Sequence, residues 1–157
     1  MTDIHILSGA RTPIGGFGGS LASLTPIDLA TVAARAALAR ADRSGSDIGT
    51  VVFGHVINTE PKDMYLSRVA ALDGGLTQDV PAMNVNRLCG SGLQAIVSAA
   101  QSVLLGDTDV AIGGGAESMS RGPYVVPSAR WGARMGDFKT LDMMTGALHD
   151  PFDVIHM

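Results

Sequence analysis

The chain has 157 residues, of which 46% are hydrophobic and 17% charged, with a formal net charge of −4. That length suits one domain of ordinary size, or one and a fraction, and the composition supports a packed core and argues against disorder. The acidic balance, without a basic patch, argues against a nucleic-acid partner. The single cysteine rules out an internal disulfide.

In chain order, Met1 to His5 has neither a basic start nor a long apolar run, so no signal peptide is expected. Ile4 to Leu7 reads as a first buried strand. Ser8 to Ser20 is a glycine-rich loop, Gly-Gly-Phe-Gly-Gly at its centre. It fails the dinucleotide-binding pattern, because Leu21 stands where the third glycine belongs and the helix begins too late to meet a phosphate. Thr25-Pro26-Ile27-Asp28 is a helix start with a capping threonine, a proline at the first turn and an acid placed to reach back. The following helix is expected to turn Leu29, Val32, Ala33, Ala36 and Ala37 inward. The apolar stretch Leu29 to Leu38 is alanine-rich, contains Thr31 and is broken by Arg35, so no membrane span is expected.

Thr50 to Phe53 is a second strand, followed by Gly54, His55 and Asn58. His55 reads as a surface or hydrogen-bonded residue, or as a functional one, since open α/β sheets bind ligands at the carboxyl edge of their strands. Lys62 to Leu72 reads as a helix with Met64, Val69 and Leu72 inward. Ala82 to Val85 is a third strand, and Gly90 to Leu105 a helix with Leu93, Ile96, Val97, Ala100 and Leu104 on its apolar side. Asp109 to Ile112 is a fourth strand, running into three glycines. Strands alternating with helices predict an α/β domain with a largely parallel sheet. From Ser118 to Met157 no period is sustained. That segment is either an irregular excursion or the start of another unit.

The lone Cys89 lies between the third strand and its helix, followed by Gly90-Ser91-Gly92. The first amides of a helix lack internal partners and carry partial positive charge, so a thiol there is held more readily as thiolate, the nucleophilic form. The competing view is an inert buried cysteine, which has no need of a strand–Cys-Gly-Ser-Gly–helix setting. Glu117, after the glycines, is a candidate general base or a structural acid tied to backbone amides.

Asn86-Arg87-Leu88-Cys89-Gly90-Ser91-Gly92-Leu93-Gln94-Ala95 and Gly113 to Ser120 together resemble the thiolases (acetyl-CoA acetyltransferase and 3-ketoacyl-CoA thiolase). So do Ala10 to Gly19 and the closing His156-Met157. The resemblance implies a layered αβαβα fold, with only its N-terminal βαβαβαβ half present in residues 1–118. Residues 119–157 would begin the loop domain that covers the site and builds a homodimer or homotetramer. Cys89 would be the nucleophile that carries the acyl group. Leu148, His156 and Met157 would lie around the pantetheine and acyl part of the pocket. Coenzyme A and acetyl-CoA enter as substrates; no permanently bound cofactor and no metal is expected, and a cytoplasmic location fits.

The family's activating histidine lies in a Gly-His-Pro motif, its second cysteine in Cys-x-Gly and its asparagine in Asn-Glu-Ala-Phe. None of these occurs here. The resemblance therefore implies that catalysis requires a C-terminal half. The alternatives are an inert fragment that acts in assembly and a ketoacyl-synthase-like condensing enzyme.

Overall fold

The computed structural model describes residues 3–157. Three strands, β1 (Thr50–Gly54), β2 (Ala82–Val85) and β3 (Ala111–Gly115), form one parallel sheet in the order β2-β1-β3. The central β1 pairs Val51 with Ala82 on one side and with Ile112 on the other. Its burial on both faces explains why it is a continuous apolar run rather than an alternating one.

Helices α1 (Pro26–Arg40) and α2 (Leu66–Asp73) pack on one face of the sheet. Their core joins Ile27, Ala30, Ala34, Leu38, Leu66, Ala70 and Ala71 to Val51 and Phe53. Helix α3 (Ser91–Leu104) covers the other face, where Val52 meets Ala95 and Ala99. Alternation along β1 thus sends Val51 and Phe53 to one layer and Val52 to the other.

Helix α1 starts as its sequence dictates. The Thr25 hydroxyl accepts the Asp28 amide at 3.1 Å, and the Asp28 carboxylate accepts the Thr25 amide at 2.9 Å. These bonds hold the Asp28 carboxyl below its ordinary range, the Thr25 amide contributing most and the Thr25 hydroxyl next. The expected inward face is displaced, however. Ile27, Ala30, Ala34 and Leu38 are buried, while Val32 is exposed, because the helix must also meet α2.

Three other expectations are corrected. Ile4 to Leu7 forms no strand, and Ile6 is 86% exposed. Apolar composition supplies strand propensity but no ladder partner, and the chain is instead tied at Ser8, whose hydroxyl donates to the Ala37 carbonyl at 2.7 Å. The segment Lys62 to Leu72 divides into a 3-10 turn, Pro61–Tyr65, and α2; Leu66, Ser67, Ala70 and Ala71 point inward, and Met64 is exposed. On α3 the buried residues are Ser91, Ala95 and Ala99, whereas Leu93, Ile96, Val97 and Leu104 are exposed.

The reason for this last reversal is the closeness of the sheet. A methyl group at Gly113 would meet the Ile96 Cα at 2.7 Å, and one at Gly54 would meet the Ser91 carbonyl carbon at 2.5 Å. Only small side chains fit between backbones that approach so closely.

Beyond Ser118 the chain has more order than its pattern suggests. Strands β4 (Tyr124–Val125) and β5 (Leu141–Asp142) pair antiparallel as a separate sheet, and α4 (Met143–Ala147) follows directly. Asp142 caps α4 by accepting the Met144 and Thr145 amides at 2.9 and 3.1 Å. The Thr145 hydroxyl, the largest influence, and the Thr145 amide hold its carboxyl below the usual carboxylate range.

Candidate functional site

The five residues between β2 and α3, Asn86 to Gly90, form a tight turn. Leu88 takes the left-handed conformation, with φ of 50°, which costs energy for a branched side chain and persists only where surrounding bonds enforce it. Here they do. The Asn86 side chain accepts the Leu88 amide at 3.0 Å. The buried Ser91 hydroxyl accepts the Arg87 amide at 2.8 Å and donates to the Leu88 carbonyl at 2.6 Å. Cys89 sits at the apex of this turn, exposed, one residue before the Gly90 cap of α3. Cys89 is therefore not a buried cysteine.

The thiol opens on a cavity of about 430 Å³. Its floor is the carboxyl edge of the sheet: Gly54 at the end of β1, Gly115 at the end of β3, and Gly92 at the start of α3. Its sides are Val56, Ile57, Glu117, Met119, Ala147 and Leu148. Cys89 and Leu148 therefore line one cavity. His156 and Met157 are not among its lining residues; they lie beside it on the segment after α4. The Met157 amide donates to the Leu148 carbonyl at 2.9 Å, and His156 bridges to His149 with their rings edge-on, centroids 5.2 Å apart.

Glu117 is not free to act as a base. Its carboxylate accepts the Val56 and Ile57 amides, each at 3.0 Å, and lies 3.2 Å from His55 Nδ1. It is the structural acid of the two readings. His55 is buried, its Nδ1 2.9 Å from the Ala116 carbonyl, so the hydrogen-bonded reading holds and the surface one does not. The cavity-lining residues that sequence reasoning did not single out include Val56, Ile57, Met119 and Ala147. The one available signal was position, since Val56 and Ile57 immediately follow the carboxyl end of a strand.

The loop Ala10 to Gly16 lines a second cavity, of about 330 Å³, which shares Gly115, Ala116, Glu117 and Met119 with the first. Among the described residues there is no group of three or more histidine, cysteine, aspartate or glutamate side chains able to hold a metal, and no helix long and apolar enough to cross a membrane.

A family model described as the N-terminal domain of thiolase matches residues 4–157. A beta-ketothiolase of Cupriavidus necator is 68% identical over 155 residues, which are 99% of this chain and 39% of that protein. The crystal structure of human mitochondrial 3-ketoacyl-CoA thiolase in complex with CoA superposes with a TM-score of 0.88 at 38% identity, over 92% of this chain and 37% of that one. The Bacillus anthracis acetyl-CoA acetyltransferase does so with a TM-score of 0.91 at 36% identity, over 96% and 38%. The chain thus spans about two-fifths of the length of these relatives.

Proposed function

Because this chain belongs to the thiolase family, we propose that it supplies the nucleophilic thiol of an enzyme that passes acyl groups between coenzyme A thioesters. The observation that carries this reading is the exposed Cys89 at a braced turn before α3, opening on a cavity with glycines at its floor and mostly apolar side chains at its sides. Names of the relatives support the reaction class, and the CoA complex of the human relative supports the substrate class.

In the first half-reaction the Cys89 thiolate attacks the thioester carbonyl carbon. A new carbon–sulfur bond forms, the bond to the coenzyme A sulfur breaks, and coenzyme A leaves as its thiolate, taking a proton. In the second, the acyl group leaves Cys89 for the enolate of another acyl-CoA, forming the carbon–carbon bond of a 3-ketoacyl-CoA. In the thiolytic direction Cys89 attacks the 3-keto carbon, and that carbon–carbon bond breaks to release acyl-CoA as its enolate, which takes a proton. The acyl group then passes to the coenzyme A thiol, whose proton is released. Glycines at the cavity floor would let the thioester approach peptide N–H groups, and the Cys89 amide is assigned as a donor to the developing oxyanion. No histidine of the described residues lines the cavity. The base that takes the thiol proton and the acid/base for the acceptor are therefore assigned to the C-terminal half of a complete thiolase. That half would also cover the exposed apolar face of α3. A homodimer or homotetramer is the assembly this reading favours. Leu148, on the cavity, and His156 and Met157, beside it, are assigned to the acyl and pantetheine channel.

Intact mass under acid-denaturing conditions, with and without acetyl-CoA, tests the proposal. The expected result is one acetyl group mapped to Cys89 when the complete enzyme is present, and none in Cys89→Ser, which keeps the fold. Near-normal turnover in that variant refutes the nucleophile. A chain that never gains acetyl with both halves present leaves an assembly module instead.

A further inference from the structure

His55 is the one buried histidine among the described residues, with its side chain 1% exposed, and the chemistry above does not use it. It ties the ends of all three parallel strands together. Its amide donates to the Val85 carbonyl at 3.0 Å, at the end of β2. Its Nδ1 lies 2.9 Å from the Ala116 carbonyl, just past β3, and 3.2 Å from the Glu117 carboxylate. Both neighbours of Nδ1 are acceptors, so Nδ1 carries the hydrogen, which it donates to the Ala116 carbonyl while facing the Glu117 carboxylate. Nε2 is buried with no partner among the described residues. All the polar work of the ring is thus done by one N–H.

Glu117 accepts two amides, from Val56 and Ile57, and its carboxylate lies 3.2 Å from that ring N–H. These two amides follow β1, and both residues line the Cys89 cavity. We propose that His55 is a positioning residue for acyl transfer: through Glu117 it fixes the Val56–Ile57 backbone that walls the cavity around the Cys89 thiol. The proposal rests on the acyl-transfer reading for its chemistry and on hydrogen-bond geometry for its structure.

Side-chain stereochemistry sets the test. In asparagine the amide nitrogen is one bond beyond Cγ, the place of histidine Nδ1. In glutamine it is one bond farther. Glu117→Gln puts a donor group where the carboxylate accepts one of its two amides, so one N–H loses its partner. In the complete enzyme, His55→Ala, His55→Gln and Glu117→Gln are expected to slow single-turnover acetylation of Cys89 roughly 10- to 100-fold at saturating acetyl-CoA, the scale of a small misplacement of reacting groups. The dissociation constant for acetyl-CoA should change by less than about threefold, and His55→Asn should recover to within about threefold of the parent rate. A His55→Ala enzyme as fast as the parent overturns the proposal, and so does His55→Asn as slow as His55→Gln.

Alkylation of Cys89 by iodoacetamide separates the two layers. If the parent takes no acetyl group, the acyl-transfer reading fails, and the positioning claim is decided by alkylation alone. A rate altered about fivefold or more in His55→Ala and Glu117→Gln, and restored in His55→Asn, sustains it. Equal rates in all variants overturn it. A thermal midpoint within about 4 °C of the parent in His55→Asn and His55→Gln keeps the comparison between folded proteins.

Discussion

Helices α1 and α3 flank the same sheet, yet they use their apolar residues in opposite ways. Helix α1 turns Ile27 and Leu38 into the core with α2 and β1. Helix α3 turns only Ser91, Ala95 and Ala99 to the sheet and leaves Leu93, Ile96, Val97 and Leu104 outside. The difference follows from distance. Glycines at Gly54 and Gly113 let the α3 backbone settle on the strands, and a helix held so close has no room for leucine beneath it. The lesson concerns the site. The helix that carries the thiol turn at its start is seated by backbone contact, which places Cys89 more firmly than interdigitating side chains could.

The sharpest way to break that arrangement is Gly54→Ala. The added methyl would meet Ser91 and Gly92 backbone atoms at 2.5 and 2.7 Å, and neither can swing aside. The start of α3 must move, with Cys89 attached. Loss of about 1–3 kcal/mol of stability is expected in urea unfolding, with acyl transfer reduced by more than that destabilisation explains. Full acetylation kinetics in a folded Gly54→Ala protein would show that the close seat is not what places the thiol.

A pair of truncations sharpens the contrast between inward and outward leucines. Leu38→Ala, in the α1 core, should cost about 2–4 kcal/mol. Leu93→Ala, on a residue 70% exposed, should change the stability of the 157-residue chain by less than about 0.5 kcal/mol. In the complete enzyme the second substitution should become costly if the C-terminal half covers that face, as proposed. An equally small effect there would remove the reason for assigning the C-terminal half to it.

The smallest expected effects lie at the entrance to α1. Thr25→Ala should cost about 1 kcal/mol, the usual worth of such a cap. Asp28 contributes with a definite sign in pH. Its folded carboxyl titrates below the ordinary 3.8, so its stabilisation is present above that value and is lost as pH falls through the lower folded one. The stability gap between the parent and Asp28→Ala should therefore be constant near neutrality and narrow in acid. A gap that widens in acid would reverse the assignment.

What the sequence by itself determined is local. The Thr25–Asp28 cap and the strand–Cys89–helix turn are legible because the atoms that interact lie within a few residues of each other, and the strands at Thr50 and Ala82 because both are short apolar, β-compatible runs. The position of Cys89 at the head of a helix belongs to the same class. Tertiary structure decided the rest. Which side of α1, α2 and α3 points inward depends on partners far along the chain, and the period of apolar residues is the same whichever way a helix is rolled. Ile4 to Leu7 has the composition of a strand, but a ladder also needs a neighbour. Glu117 became a structural acid only when Val56, Ile57 and His55 were brought to it from about sixty residues away. Such contacts join residues with no spacing pattern between them, so no local signal announces them; they exist only once the sheet has set strand ends side by side.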